Sequence, residues 1–318
     1  MINIILDDET KRDIEAICWK DVNTAPTGLV NVLNKAEIKQ LLKDNYKKLY
    51  SYFYDNRGSL IEKQVQKLLF LDRNGMKKLI CRLGKIDDSK ELLQKVFVYE
   101  NFSKRNAAIE ILRKMHVEVC PYCNRQYVQT IKTGEVRAQF DHYYPKSLYP
   151  YLSLSLYNLV PSCSICNMAK SSLDTVIEPV LYPYEEEFGY DANFELKISK
   201  SGDYVKVWQG LSDNFSIAIN TTKGTAIEPA INNQVKKLYL KELYNEHKNF
   251  VKDIIKSKNI NSPGRIMALY RSYTHLFKSI DEVKGLLYMT DLRKESWGQR
   301  PLTKLIHDID RIFSGKIL

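Results

Sequence analysis

Several things are scarce or missing in this chain of 318 residues, and each absence narrows what it can be. No apolar run is long enough to cross a bilayer, so a membrane-spanning protein is not expected. The opening stretch Ile2 to Leu6 meets Asp7, Asp8 and Glu9 at once, too short and too acidic for a secretory leader. A cytoplasmic, reducing location follows as the expectation. There is no internal repeat and no low-complexity tract, which argues against a solenoid and against a disordered chain. No G-x-x-x-x-G-K-[ST] occurs, so the chain has no phosphate loop of its own, and any dependence on ATP must come from a partner. Cysteines number only six and histidines five. In a reducing compartment six cysteines read as metal ligands or buried thiols rather than as a disulfide framework.

What is present is a soluble, globular composition, 44% hydrophobic and 27% charged, with 21 tyrosines. The length allows one large domain or two modest ones. The net charge of +10 is uneven: residues 225 to 318 hold 17 Lys and Arg against 10 Asp and Glu, whereas 181 to 224 hold 4 against 7. A basic segment suits a polyanion through phosphate neutralisation, although charge alone is equally compatible with a protein that binds none.

The patterning predicts an α+β protein in four parts. Residues 1–116 read as a helical N-terminal region. In NKAEIKQLLKDNYKKLYSYFYDN, Ile38, Leu41, Leu42, Leu49 and Phe53 recur at three- and four-residue steps, the mark of one helix face. NFSKRNAAIEILRKM reads as a further helix, with Ser103 as its cap. Residues 117–184 form the cysteine-bearing core. Residues 185–225, with NFELKIS, DYVKVWQ and FSIAIN alternating like short strands, predict a small β-meander. Residues 226–318 form a basic helical C-terminal region, with helices expected after Pro263 and Pro301.

Two C-x-x-C pairs, Cys120/Cys123 and Cys163/Cys166, supply the four thiolates of a tetrahedral structural zinc site. The 39 residues between them leave room for a whole substructure. Within it YVQTI and VRAQF read as two strands turned by KTGE, and Asp141 and His142 stand at the end of the second. Successive strand side chains face opposite ways, so one of the two can bind a metal while the other faces substrate. Asn158 follows in YNLVPSC, and CSICNMAKSS reads as a helix start that puts Asn167 and Lys170 on one face. Cys18 and Cys81 lack such pairing and read as inert core thiols. His116 reads as a helix end, and His247, His275 and His307 as structural.

The pattern C-x-x-C, D-H, N-L, C-x-x-C-N with a lysine three residues on, over about residues 120 to 172, resembles the zinc-stapled HNH, or ββα-metal, nucleases. Asn167 stands at the third signature position, as in the HNH domains of CRISPR effector nucleases. The resemblance implies His142 as general base, Asp141 and Asn167 as holders of a catalytic Mg²⁺ or Mn²⁺, and Asn158 as the residue that orients the His142 ring. Lys170, and less so Arg125, would touch phosphates; the alternative for Arg125, beside the first cysteine pair, is to cover sulfur charge. It implies cleavage of DNA. RNA cleavage, or a zinc-stapled module that binds nucleic acid without cutting it, are the competing readings. The flanks YENFSKRNAAIEILRKMHVEVCPYCNRQY, LYLKELYNEHKNFVKDII and SWGQRPLTKLIHDI are similar to stretches of bacterial HNH proteins encoded beside ATPases in antiphage systems, Septu and retron-associated nucleases among them. That implies an ATPase partner protein. On physical grounds alone WGQRPLTK reads as a helix start with Pro301 in its first turn and basic residues on a solvated face.

Overall fold

Apolar residues spaced for one helical face fold most of this chain into short helices, and the few strands fall where the helical period fails. The computed structural model describes residues 1–86, 90–198 and 203–314, with Lys90 and Glu91 as backbone only. Ser199, the last residue of the expected NFELKIS strand, lies outside these. The protein is α+β, with two small antiparallel sheets: β1 (Gln139–His142) pairs with β2 (Leu159–Ser162), and β3 (Ala192–Ile198) with β4 (Phe215–Thr221). No helix among the described residues is long and apolar enough to cross a membrane. The chain divides into two compact units, one formed by residues 5–117 and 128–178, the other by 1–4, 118–127 and 179–318.

The first unit carries the D-H dipeptide. Its helix Asp8–Thr24 is capped by the Asp7 carboxylate, which accepts from the Thr10 amide, and it buries Ile14, Cys18 and Val22. The stretch expected to be one helix is two, Ala36–Asn45 and Lys47–Phe53, broken at Tyr46 with φ −136° and ψ 60°. Ile38, Leu42, Leu49 and Phe53 are nevertheless all buried, because each half keeps its apolar face inward. Ser103 is not the cap of the next helix. It ends the helix Tyr99–Ser103, with its hydroxyl turned back to the Glu100 carbonyl, and the helix Asn106–Lys114 starts after Arg105. His116 follows that helix at φ +48°. Cys18 is buried, but Cys81 is exposed and so is not a core thiol.

The expected hairpin of YVQTI with VRAQF does not form as a ladder. Its turn is present: Ile131 donates to the Val136 carbonyl at 3.0 Å and Gly134 takes φ +73°. A Cβ at Gly134 would stand 2.3 Å from Cδ1 of Ile109, so the turn needs glycine for space as well as for backbone conformation. The ladder instead joins residues 139–142 to the stretch just before the second cysteine pair, in the register Asp141 to Val160 and His142 to Leu159. All four β2 residues are buried, which is why that strand shows no alternation in sequence.

Part of the tyrosine excess is spent in the loop after β1. Tyr143, Tyr144, Tyr149 and Tyr151 are buried and meet edge to face in succession, with ring centroids 4.9, 6.1 and 6.4 Å apart. The Tyr149 hydroxyl donates to Asp174 at 3.0 Å and that of Tyr151 to the Gly84 carbonyl at 2.8 Å. The loop from 143 to 153 is thereby packed and tethered, which matters for the group it presents to His142.

In the second unit the expected meander is a two-stranded sheet. NFELKIS and FSIAIN form β3 and β4, paired from Ala192 with Thr221 to Ile198 with Phe215. DYVKVWQ is a helical turn, Tyr204–Trp208, in which Val207 alone is buried while Val205 is 68% exposed. With one apolar residue to bury, nothing holds that stretch to a strand. The helices Pro263–Ser272 and Thr303–Phe313 follow Pro263 and Pro301 as expected. WGQRPLTK departs from the expectation of a solvated basic face, because Lys304 is buried between Asp308, at 2.7 Å, and the Trp297 ring, at 4.8 Å. The motif docks on Asn124, which accepts from the amides of Leu302 and Lys304 and donates to the Trp297 carbonyl at 2.8 Å.

Candidate active site and metal centre

Each C-x-x-C pair folds into a tight turn because a thiolate can accept backbone N–H groups. The Arg125 amide points at Sγ of Cys123 and the Cys166 amide at Sγ of Cys163, both at 3.4 Å. The four Sγ atoms of Cys120, Cys123, Cys163 and Cys166 lie within 4.8 Å of one another, and all four residues are buried. Tetrahedral zinc–thiolate bonds of about 2.3 Å need sulfurs roughly 3.8 Å apart. The donor set, its burial and the amides aimed at sulfur all fit a structural zinc ion, which these four cysteines can hold. The Arg125 side chain turns to His247 and Tyr244. Its Nε donates to Nε2 of His247 at 3.0 Å and its guanidinium lies 5.9 Å from the Tyr244 ring centre. Burial first, then the Arg125 charge, holds the His247 ring below its usual pKa.

The D-H dipeptide sits on β1, and the strand sends its two side chains to opposite faces. Gln139 and Asp141 share the face toward the helix Ser164–Lys170, and the helix answers with two residues three apart. Asn167 donates through Nδ2 to Oε1 of Gln139 at 2.9 Å, and Lys170 places Nζ 3.2 and 3.1 Å from the two oxygens of Asp141. Lys170 also donates to the His142 carbonyl at 2.6 Å. The Lys170 side chain is 0% exposed and that of Asp141 3%, so the ammonium is enclosed and the carboxylate nearly so. The expectation that Lys170 touches phosphate is corrected here: its ammonium is committed inside the protein. The helix ends immediately afterwards, at Ser171 with φ +45°.

His142 faces the other way. Its Nε2 lies 3.0 Å from the Ser153 carbonyl, and a carbonyl only accepts, so Nε2 carries the hydrogen and Nδ1 keeps the lone pair. Tyr99 packs edge-on against the ring at a centroid distance of 4.5 Å. Burial drives the His142 pKa down to about 3, the Ser153 hydrogen bond opposes this, and the charges of Lys146 and Lys170 deepen it. The ring is therefore neutral at pH 7.

Asn158 acts on the ring through the chain. Its Nδ2 donates to the carbonyls of Tyr144 and Leu152, both at 3.0 Å, and its Oδ1 accepts from the Tyr144 amide at 2.7 Å. Tyr144 lies two residues after His142 and Leu152 one before Ser153. The amide thus fixes the loop that carries the carbonyl partner of His142.

For a hard divalent ion the oxygen donors are the Asp141 carboxylate and Oδ1 of Asn167, whose amide nitrogen is already engaged by Gln139. Their chemistry fits such an ion, and Asp141 would divide its lone pairs between it and Lys170. Sequence reasoning did not single out Gln139, Ser153, Tyr99, Glu100 or Lys146. The position of Gln139, two before Asp141 on the same strand face, was a usable signal. Ser153 acts through its backbone and left none.

No protein-family model matches the chain, and no solved structure matches it. Among curated proteins it is similar to the Septu protein PtuB of Bacillus thuringiensis, 36% identical over 72 residues, or 23% of this chain. The matched stretch covers 26% of that relative, so the similarity spans about a quarter of each protein.

Proposed function

We propose that this protein is a metal-dependent endonuclease of the HNH kind, cutting DNA as the nuclease of an antiphage defence system. The observation that carries the reading is the placement of His142: a buried ring whose Nε2 is held by the Ser153 carbonyl in the tautomer that leaves the lone pair on Nδ1, next in sequence to a carboxylate on the opposite strand face. A residue that served packing alone would not need its neighbour charged and its tautomer fixed. The arrangement of β1, β2 and the helix Ser164–Lys170 supports a ββα core. The local similarity to a Septu protein supports the defence role and, with it, a partner protein.

In this reading His142 takes a proton from the attacking water at Nδ1 while Nε2–H stays on the Ser153 carbonyl, so the ring cannot rotate away. Asn158 keeps that carbonyl in place through Leu152. Lys170 holds the Asp141 carboxylate and the His142 backbone in one grip, which sets the strand geometry on which both depend. A divalent Mg²⁺ or Mn²⁺ ion on Asp141 and Asn167 would supply charge neutralisation at the phosphate and a more acidic water. The four cysteines, with zinc, hold the second strand and its helix in place.

The test is cleavage of supercoiled plasmid by zinc-loaded protein with Mg²⁺ or Mn²⁺, beside His142→Ala and Asp141→Ala, with single-stranded RNA as a parallel substrate. Cutting that needs the divalent ion and disappears in both variants supports the reading. Equal cutting by wild type and His142→Ala would remove His142 from the chemistry. Binding without any cutting, alone or with an ATPase partner, would favour a zinc-stapled binding module instead.

A further inference from the structure

With Lys170 enclosed, the site needs another cation to meet the phosphate whose bond is broken. Two lysine charges act on the His142 ring, those of Lys146 and Lys170, and of these only Lys146 reaches solvent, its side chain 44% exposed. Lys146 follows His142 by four residues. Its Nζ stands 5.0 Å from the centre of the Tyr99 ring, and Tyr99 in turn packs on His142 with centroids 4.5 Å apart. The ammonium is thus one aromatic ring removed from the base. It is not idle there, because it is ion-paired with Glu100, a carboxylate 59% exposed on the short helix that also carries Tyr99.

We propose that Lys146 is the phosphate-contacting residue of this site and that Glu100 holds it as a competing anion, released when a DNA phosphate takes its place. This rests on the nuclease reading for the identity of the ligand. Three features of the arrangement carry it. The pair is exposed on both sides, so the exchange of one oxyanion for another needs no unfolding. The Tyr99 face keeps Lys146 near His142 whether or not Glu100 is bound, since a cation over a ring is held by the ring and not by its counter-ion. Glu100 also places a negative charge where a phosphate must arrive, so it weakens binding of any polyanion that does not displace it.

The experiment measures binding of fluorescein-labelled duplex DNA by anisotropy across a NaCl series, with Ca²⁺ in place of Mg²⁺, and cleavage with Mg²⁺ or Mn²⁺ on the same preparations. Lys146→Ala should weaken binding several-fold and lower the slope of log K against log salt by about one, the signature of one lost phosphate contact. Lys146→Arg should restore both. Glu100→Gln should tighten binding several-fold in the wild-type background and clearly less in Lys146→Ala, where only its repulsion of the phosphate is removed. A slope unchanged by Lys146→Ala, or equal tightening by Glu100→Gln in both backgrounds, overturns the proposal, as does wild-type protein that does not bind duplex DNA. The two failures separate: cutting with an unchanged slope keeps the nuclease and removes this contact, whereas a Lys146-dependent slope without cutting under any metal keeps the contact and removes the nuclease.

Discussion

Replacing Lys170 by methionine isolates the strongest electrostatic commitment near the candidate site. Methionine keeps the length of the side chain and removes its charge and its donors. What remains is the Asp141 carboxylate, its side chain 3% exposed, without its buried cation, and the His142 carbonyl without the donor that stood 2.6 Å away. Removing one partner of a buried ion pair costs about 3–5 kcal/mol, because the surviving charge is stranded away from water. An exposed pair would cost about 0–1 kcal/mol. The 0% exposure of Lys170 places this pair in the first class. Four kcal/mol is a factor of roughly 10³ in the unfolding equilibrium and a large share of the about 5–15 kcal/mol that holds a typical domain together. Urea unfolding of zinc-loaded protein, without other divalent ions, measures the loss, and amide exchange of β1 locates it. Adding Asp141→Asn to Lys170→Met should recover part of it, since the neutral amide needs no cation, with a coupling of about 1–3 kcal/mol in the double-mutant cycle. A loss below about 1 kcal/mol for Lys170→Met would refute the claim that this lysine is a buried structural cation.

Other perturbations test the remaining parts. Cys163→Ser should lower bound zinc from about one ion per chain to well below it, and reduce the melting temperature; wild-type protein purified with no zinc by metal analysis would sink the structural site. Asn158→Ala leaves the Tyr144 amide and the carbonyls of Tyr144 and Leu152 without the partners they have now. A cost of about 2–4 kcal/mol in denaturant midpoint is expected, and a neutral effect would show that the loop is held by its tyrosines alone. His247 accepts from Arg125, and its pKa is lowered by burial and then by that guanidinium, so the folded state binds the proton less readily than the unfolded one. Its contribution is complete above the unfolded pKa of about 6.5 and is lost as pH falls below that value. Thermal melts between pH 8 and 5 should therefore fall more steeply for wild type than for His247→Gln, which keeps an acceptor for Arg125 without titrating; parallel curves would remove His247 as a source of acid lability.

The fold was legible where sequence period and burial coincide. Helix faces such as Ile38, Leu42, Leu49 and Phe53 were visible because each residue is buried for its own spacing, and the break at Tyr46 was not, because both halves obey the same rule. The β3 and β4 strands showed their alternation. DYVKVWQ showed it too and is helical, since Val205 lies exposed and only Val207 needs cover. β2 could not be read at all. Its four residues are buried, and its partner is fixed by a register that joins Gln139 to Ser162 and His142 to Leu159 across the intervening loop, which no local pattern records.

The same division runs through the candidate site. Residue types and spacing reveal which groups can bind metal or move a proton, and they singled out Cys120, Cys123, Asp141, His142, Asn158, Cys163, Cys166, Asn167 and Lys170. They do not reveal which way a side chain turns. Asn167 and Lys170 are three apart on one helix, so sequence makes them equivalent neighbours, yet Asn167 lies at the half-exposed end against Gln139 and Lys170 at the sealed end against Asp141. The difference comes from the strand opposite. Gln139 opens β1 and is exposed, whereas Asp141 is two residues further in, and the helix residue facing it is enclosed with it. A lysine with the spacing of a phosphate ligand therefore becomes an internal counter-ion, while Lys146 is a cation that faces solvent near His142. Charge that looks surplus in a basic sequence is sorted only by such pairings: Lys170 and Lys304 are both consumed by buried aspartates. The net charge of +10 thus says little about this site, and the pairing of one exposed lysine near it, Lys146 with Glu100, says more.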